Sequence, residues 1–395
     1  MKKMILYTAL PLVVSLKAPV YAQDETSALF ASRMDFSAGG QPVGFFGADL
    51  DGDGDQDLSV TLFQLDLVAV LSNNGDGTFE SKENLATGRF PTSVFSADFD
   101  GDGYNDLATA NAQSDNVSVL LNNGDATFAP KVDYATSDDP SDVFSADLNG
   151  DGDQDLATAN CGTHDVSVLL NNGDATFVNT GAYATGNCPQ TAFAADLDGD
   201  GDMDLAVSTA GGNVSVMLNH GDGTFAPRTD YQTGGSGSVF AADFDGDGDQ
   251  DLATQKRRSN AVSVLLNNGN GTFAPRVAYR VGNRPRGVSG ADFDGDGDQD
   301  LAAANNGSST VSLLSNNGDG TFAPKVDYRT GSSPVDIIAG DFDVDGDQDL
   351  ATSNEGGRNI SVLLNISDAS TASAVEATSW GRIKSSVQPF KTHER

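Results

Sequence analysis

Asp292-Phe293-Asp294-Gly295-Asp296-Gly297-Asp298-Gln299-Asp300-Leu301 sets five carboxylates at alternate positions within ten residues. Near-copies begin at Asp49, Asp98, Asp147, Asp196, Asp243 and Asp341, so the segment recurs seven times with steps of 49, 49, 49, 47, 49 and 49 residues. Carboxylates this close repel one another, and a loop that carries them at positions 1, 3, 5 and 9 needs a hard cation to hold it together. Glycine stands sixth in every copy, at Gly54, Gly103, Gly152, Gly201, Gly248, Gly297 and Gly346. There it lets the backbone turn sharply around an ion while the seventh residue offers its carbonyl oxygen. Calcium is the natural candidate.

Between the acidic loops each period has the same order, shown by the sixth copy. An apolar segment (287–291) enters the loop, and Asp300-Leu301-Ala302-Ala303-Ala304 leaves it. Thr310-Val311-Ser312-Leu313-Leu314 follows, then the turn Asn316-Asn317-Gly318-Asp319-Gly320, then a last segment over 321–328 ending in Tyr328. These pieces are short and bounded by Gly, Asn or Asp, which predicts four strands joined by tight turns. No segment keeps a 3.6-residue apolar period for three turns, so a helical reading fails. Seven periods of four antiparallel strands give an all-β fold, a seven-bladed β-propeller. A linear solenoid is the alternative, and the chain ends decide against it. The seventh copy stops after Asn365 without its last strand, whereas Leu29-Phe30-Ala31-Ser32-Arg33-Met34-Asp35-Phe36 matches that strand in register. The N-terminal strand is therefore expected to close the ring.

The flanks read differently. Lys2 and Lys3, an apolar run over 4–16 and small residues at Val20 and Ala22 predict a secretory signal peptide over 1–22. The propeller is then expected over 23–366 and a flexible tail over 367–395, which holds Trp380, the one tryptophan. The chain carries 22 basic and 57 acidic residues, a net charge of −35. Loss of Lys2, Lys3 and Lys17 makes it −38, and seven divalent ions would still leave −24. That excludes general affinity for nucleic acid, and no segment after the signal is apolar enough to insert into a membrane. Export to a secreted, cell-surface or periplasmic location would also fill weak calcium sites, with dissociation constants of roughly 0.1–1 mM.

The loops and the Phe-Ala-Pro segments, such as Phe128-Ala129-Pro130 and Phe273-Ala274-Pro275, resemble the FG-GAP or VCBS-type repeats of bacterial exported proteins, which are related to the N-terminal propeller of integrin α subunits. The resemblance covers residues 28–366 and implies calcium held by side chains at positions 1, 3, 5 and 9, with the carbonyl of position 7. Carried over, the expected sites are Asp49, Asp51, Asp53, Asp55 and Asp57; Asp98, Asp100, Asp102, Tyr104 and Asp106; Asp147, Asn149, Asp151, Asp153 and Asp155; and Asp196, Asp198, Asp200, Asp202 and Asp204. The remaining three are Asp243, Asp245, Asp247, Asp249 and Asp251; Asp292, Asp294, Asp296, Asp298 and Asp300; and Asp341, Asp343, Asp345, Asp347 and Asp349. Asn149 is a neutral ligand that weakens its loop, and Tyr104 stands where only the carbonyl is used. An EF-hand is excluded, because the ninth-position Asp runs straight into a strand and no Glu follows at position 12.

In an up-and-down blade the loops after strands one and three share one face, which gathers the acidic loops and the Asn-rich turns. Cys161 and Cys188 then fall together on the opposite face as a candidate disulfide, with two free thiols as the alternative. The same face collects Lys256, Arg257 and Arg258, and Arg280, Arg284 and Arg286 in the exit loop of the fifth blade; Arg89, Arg329 and Arg358 occupy equivalent loops. These are candidate contacts for an anionic partner, an acidic glycan or a carboxylate-rich protein loop, or else solvated loop residues.

Catalysis is the least supported class. His393 lies in the tail, His164 and His220 fall on opposite faces, and no phosphate loop, zinc spacing or nucleophile elbow appears. The leading reading is a calcium-stabilised adhesion or recognition module that binds a protein or surface ligand through the face opposite the calcium loops, and is expected to be a monomer. A carbohydrate-binding lectin is the alternative, since some fungal lectins share this integrin-like propeller, and a structural envelope protein is the third.

Overall fold

The computed structural model describes residues 29–367 apart from Ser236 and Arg257. The expected signal peptide, the tail beyond Ser367 and Trp380 lie outside the described residues, as does Arg257 itself. Twenty-eight strands form seven four-stranded antiparallel sheets. Six run in chain order over 42–86, 91–135, 140–184, 189–232, 239–280 and 285–329. The seventh joins Pro334–Gly340, Asp349–Asn354 and Asn359–Leu363 to Met34–Ser37. First strands of successive blades touch around the whole ring, so the fold is the closed seven-bladed propeller.

Closure follows the register that the repeat dictates. Asp35 pairs with Ser361 as Asp327 pairs with Ser312, and Phe30 bridges Asn365 as Phe322 bridges Asn316. One detail of the fourth strand departs from the sequence expectation. In the sixth blade only Val326–Arg329 is strand, and 323–325 leaves the ladder, because Pro324 has no N–H to donate. In the first and third blades, which lack that proline, the fourth strand runs unbroken over Phe79–Ala86 and Phe177–Ala184.

The core lies between blades, and the acidic loops supply it. Their second residues, Leu50, Phe99, Leu148, Leu197, Phe244, Phe293 and Phe342, are all buried, each at most 1 % exposed. Phe244 meets Phe322 of the next blade at 5.6 Å between ring centroids, and Tyr279 closes on the same ring at 5.1 Å. The Phe of the Phe-Ala-Pro segment is thus a plug pinched by two residues of the preceding blade, an edge-to-face arrangement favoured for aromatic pairs. Phe30 fills that role between Phe293 and Tyr328, so the closing strand carries core as well as ladder.

The innermost strands also hold two carboxylates that the apolar reading of these segments passed over. Asp142 accepts from Ser93 Oγ at 2.6 Å and from the Ala192 N–H at 3.0 Å, and Asp336 accepts from the Ile337 N–H at 3.0 Å. Burial pushes Asp142 up to about 6, and pushes Asp336 up to about 7 with help from the Asp142 charge. A carboxyl raised in the folded state stabilises the fold while protonated, and that stabilisation is lost as pH climbs from the unfolded value near 4 through about 7. Asp336→Asn should therefore gain about 1–2 kcal/mol over the parent at pH 8 and much less at pH 5. Thermal melts at both pH values check this, and equal gains at the two would refute it.

Candidate functional site

Each acidic loop is a backbone knot built on its own carboxylates. In the sixth, Asp292 Oδ1 accepts from the N–H of Gly295 at 2.8 Å and Oδ2 from that of Gly297 at 2.9 Å, while Asp296 Oδ1 accepts from the Asp298 N–H at 3.0 Å. Gly297 has φ near +94°, and the sixth-position glycines of all seven loops lie between +92° and +98°. An L side chain is strained there, which explains the invariable glycine.

The ninth-position Asp is wholly buried and ties loop to blade. Asp300 accepts from the Phe293 N–H at 3.1 Å and from the Asn316 N–H at 2.7 Å. Asn316 then donates from Nδ2 to the Phe244 carbonyl of the preceding blade at 2.8 Å. The same staple recurs through Asn73, Asn122, Asn171, Asn219, Asn267 and Asn365, so every blade interface carries it, that across the ring closure included. Sequence reading saw these Asn only as turn formers. Burial pushes Asp300 and Asp349 up to about 7 and Asp57 to about 6, and the charges of the neighbouring loop aspartates add to the rise.

Do these residues suit a cation? Oxygens of Asp98, Asp100 and Asp106 converge within 4.8 Å of one another, as do those of Asp196, Asp198 and Asp204, and of Asp243, Asp245 and Asp251. In the first and sixth loops the convergent sets are Asp49, Asp51 and Asp53, and Asp292, Asp294 and Asp296. Four third-position oxygens, Oδ1 of Asp51, Asp198, Asp245 and Asp343, are buried with no hydrogen-bond partner. A buried carboxylate oxygen without a donor is costly, and an all-oxygen, acid-rich donor set is the kind that hard divalent cations fill. The residues fit a metal ion. Asn149 differs, since its amide Nδ2 donates to Asp151 at 2.9 Å instead of presenting a second carboxylate.

Seventh-position side chains have a use that sequence reading did not foresee. A Cβ at Gly75 would meet Asp55 Oδ2 at 2.5 Å, and one at Gly318 would meet Asp298 Oδ2 at 2.6 Å. Tyr104 covers Gly124 in the same way. These side chains lie across the Asn-rich turns, so acidic loops and turns do form one face.

The opposite face follows a second repeated device. Phe90, Asp139, Cys188, Arg284 and Ser333 each precede a proline and have φ between 47° and 57°. This strained conformation is held by a side chain at the end of the loop between strands two and three: their N–H groups donate to Asp66, Asp115, His164, Asn260 and Ser309. The device brings two loop tips together in five of the seven blades. In the third blade Cys161 and Cys188 are joined by a disulfide. At the equivalent place Phe63 and Phe90 meet edge to face with centroids 4.6 Å apart, and Gln41 donates to Glu355 at 2.8 Å.

The basic candidates are divided by the structure. Arg258, Arg280 and Arg284 are exposed and Lys256 is half-buried. Arg286 does not lie in the exit loop as the sequence suggested. It belongs to the strand Pro285–Ala291, and its guanidinium reaches Glu355 at 3.0 Å, so its charge is already answered. Arg280 ends the strand Val277–Arg280 instead of standing in a loop. His164 sits beside Cys188 while His220 belongs to a turn against the Asp202 loop, which separates the two histidines by the thickness of the ring.

The fold and its loops define a β-propeller built from a repeated four-stranded unit with an acidic loop in each blade. FG-GAP-like repeats match residues 64–109, 98–158, 147–207, 196–254, 243–303 and 292–352, and the chain belongs to that family. Among curated proteins the sequence finds no match. Three solved structures are similar in fold. A lectin from Agrocybe aegerita that recognises non-reducing terminal N-acetylglucosamine has a TM-score of 0.54 at 23% identity, over 85% of this chain and 89% of its own. BP39L lectin from Burkholderia pseudomallei has 0.64 at 12%, over 82% and 96%. Virginiamycin B lyase from Staphylococcus aureus has 0.57 at 12%, over 84% and 98%. No helix among the described residues is long and apolar enough to cross a membrane.

Proposed function

We propose that the chain is an exported, calcium-stabilised recognition module whose seven acidic loops are structural clamps and whose partner meets the opposite face. One contrast carries this reading. The acidic face repeats nearly the same loop seven times, whereas the paired loop tips across the ring differ in chemistry from blade to blade: Phe63 with Phe90 in the first, Cys161 with Cys188 in the third, Gln41 with Glu355 in the seventh. Identical loops suit a shared structural task, and varied loop tips on a rigid scaffold suit recognition. Calcium is favoured over magnesium because each loop offers an oxygen set dense in carboxylates, with a single Asn in the third, whereas magnesium retains waters and demands octahedral geometry. Nothing in this arrangement calls for catalysis, and carboxylates committed to an ion cannot also serve as free bases.

Sugar binding is a second reading with its own support. Clefts of about 310 Å³ and 420 Å³ open between blades, the first lined by Tyr279, Phe322, Pro324 and Lys325, the second by Tyr183, Phe225, Pro227 and Arg228. Aromatic and proline surfaces beside a cation suit a pyranose ring. A glycan array and a pull-down from intact cell surfaces, each with calcium and with chelator, test both readings. Retention on either, lost with chelator, supports recognition; no retention on any glycan or cell surface overturns it.

A further inference from the structure

The fifth blade has turned positive at a side-chain network that the second, sixth and seventh blades keep neutral. In the second blade Asn111 donates to Ser118 Oγ at 2.9 Å, Ser118 donates to Asp133 at 2.6 Å, and Lys131 pairs with Asp133. The sixth repeats this with Asn305, Ser312, Asp327 and Lys325, and the seventh with Asn354, Ser361, Asp35 and Arg33. In the fifth, Lys256 replaces the Asn and Ala278 replaces the Asp, while the cation remains as Arg276. Ser263, deprived of its carboxylate, donates to the Thr233 carbonyl at 3.0 Å instead.

The two cations converge. A Cβ at Gly234 would sit 2.9 Å from Lys256 Nζ and 3.2 Å from Arg276 Nη1, so both lie over the same bare stretch of backbone. Among the described residues neither has an ion-pair partner. Like charges gathered without a counter-charge are unfavourable unless an anion is to be held. The surroundings extend the pattern. From Leu252 to Ala291 the sequence contains no acid and seven cations, in a chain whose net charge is −35. Even the turn aspartate found as Asp319 in the sixth blade is Asn270 here.

We propose that Lys256 and Arg276, over the Gly234 backbone, form a binding site for the acidic groups of a polysaccharide, with exposed Arg258, Arg280 and Arg284 engaging further groups along the same polymer. The proposal rests on the recognition reading above and gives it a ligand class. Sulfate esters and carboxylates share the chemistry, since both offer oxygens to a guanidinium fork and an ammonium. A glycan is favoured over an acidic peptide because Arg280 also lines the cleft that presents Tyr279 and Pro324, placing a ring-stacking surface on the strand that follows Arg276.

The test uses titration calorimetry on the calcium-loaded protein with a sulfated dextran oligomer, a galacturonic acid oligomer, neutral dextran and oligoglutamate. The double variant Lys256→Asn/Ala278→Asp rebuilds the neutral network already present in three blades, so folding is kept, and a melt verifies it. Binding of one or both acidic sugars, absent for neutral dextran and weakened at least tenfold in the double variant, is the expected result. Which sugar binds tells sulfate from carboxylate. Binding unchanged in the double variant but lost in Arg258→Glu/Arg284→Glu would overturn this site while leaving the opposite-face reading intact. Stronger binding of oligoglutamate than of either sugar would overturn the glycan assignment. No binding to any polymer overturns the site, and only its coincidence with a blank cell-surface assay overturns the recognition reading as well.

Discussion

Removing calcium from the folded protein with excess chelator should lower its melting temperature by about 10–15 °C at neutral pH. The size follows from adding small terms. A site holding calcium at about ten times its dissociation constant stabilises the fold by roughly 1.4 kcal/mol, and seven such sites by about 10 kcal/mol. Spread over a propeller of this length, that loss lowers the melting temperature by about 10–15 °C. The loops explain why the loss should fall on the whole ring and not on the tips alone. Asp300 links the loop, through Asn316, to the carbonyl of Phe244 in the preceding blade, and every blade interface repeats the link. Without a cation, the buried Oδ1 atoms of Asp51, Asp198, Asp245 and Asp343 have no partner. Calorimetry with calcium, with chelator, and with calcium restored gives the measurement. A melting temperature indifferent to chelator would refute the clamp assignment, and recovery with magnesium alone would refute calcium as the ion.

The sequence made the fold legible because the same physical problem was solved in it seven times. One acidic loop is ambiguous, but seven at a near-constant step leave few architectures that can use them, and the displaced copy over 29–36 identifies the ring. The site was legible only in part, and the division has a physical cause. Positions whose chemistry is carried by residue type, such as the carboxylates at 1, 3 and 5 or the glycine at 6, can be read one repeat at a time. What depends on a neighbour 70 or so positions away cannot. Asn316 reads as a turn former until Phe244 is seen to accept from it across a separation of 72 residues. Arg286 reads as a free loop cation until Glu355, 69 residues on, comes within reach. Asp142 and Asp336 disappear into segments that read as apolar strands, because their hydrogen-bond partners belong to other strands and to a local irregularity of register after Pro140 and Pro334. The gain of positive charge in the fifth blade falls between these cases. Every substitution that makes it is visible in the sequence, but their convergence over Gly234 is not.

Deleting the chain up to Ser37 should abolish the cooperative unfolding transition and leave an aggregating product, a larger effect than any single substitution in the core. The closing strand does three things at once. It pairs with Asn359–Leu363 through Met34, Asp35, Phe36 and Ser37, giving the seventh blade its outer edge. It supplies Asp35 to Ser361, completing the same side-chain network that the second and sixth blades make internally. It also places Phe30, 3% exposed, between Phe293 and Tyr328, where Phe→Ala alone would cost about 3–5 kcal/mol. Without it, one blade interface loses its plug and the Ile360 and Val362 strand becomes an open apolar edge, the feature propellers avoid by closing. A deletion can fail for reasons unrelated to closure, so a circular permutant separates the causes. Residues 29–37 moved behind Ser367, joined by Asp-Gly to complete the turn, would occupy the place that the fourth strand holds in the other six blades. That permutant should melt within a few degrees of the parent. A permutant as unstable as the deletion would mean that the strand acts through something other than its place in the ring, and a deletion as stable as the parent would mean that the ring does not need it.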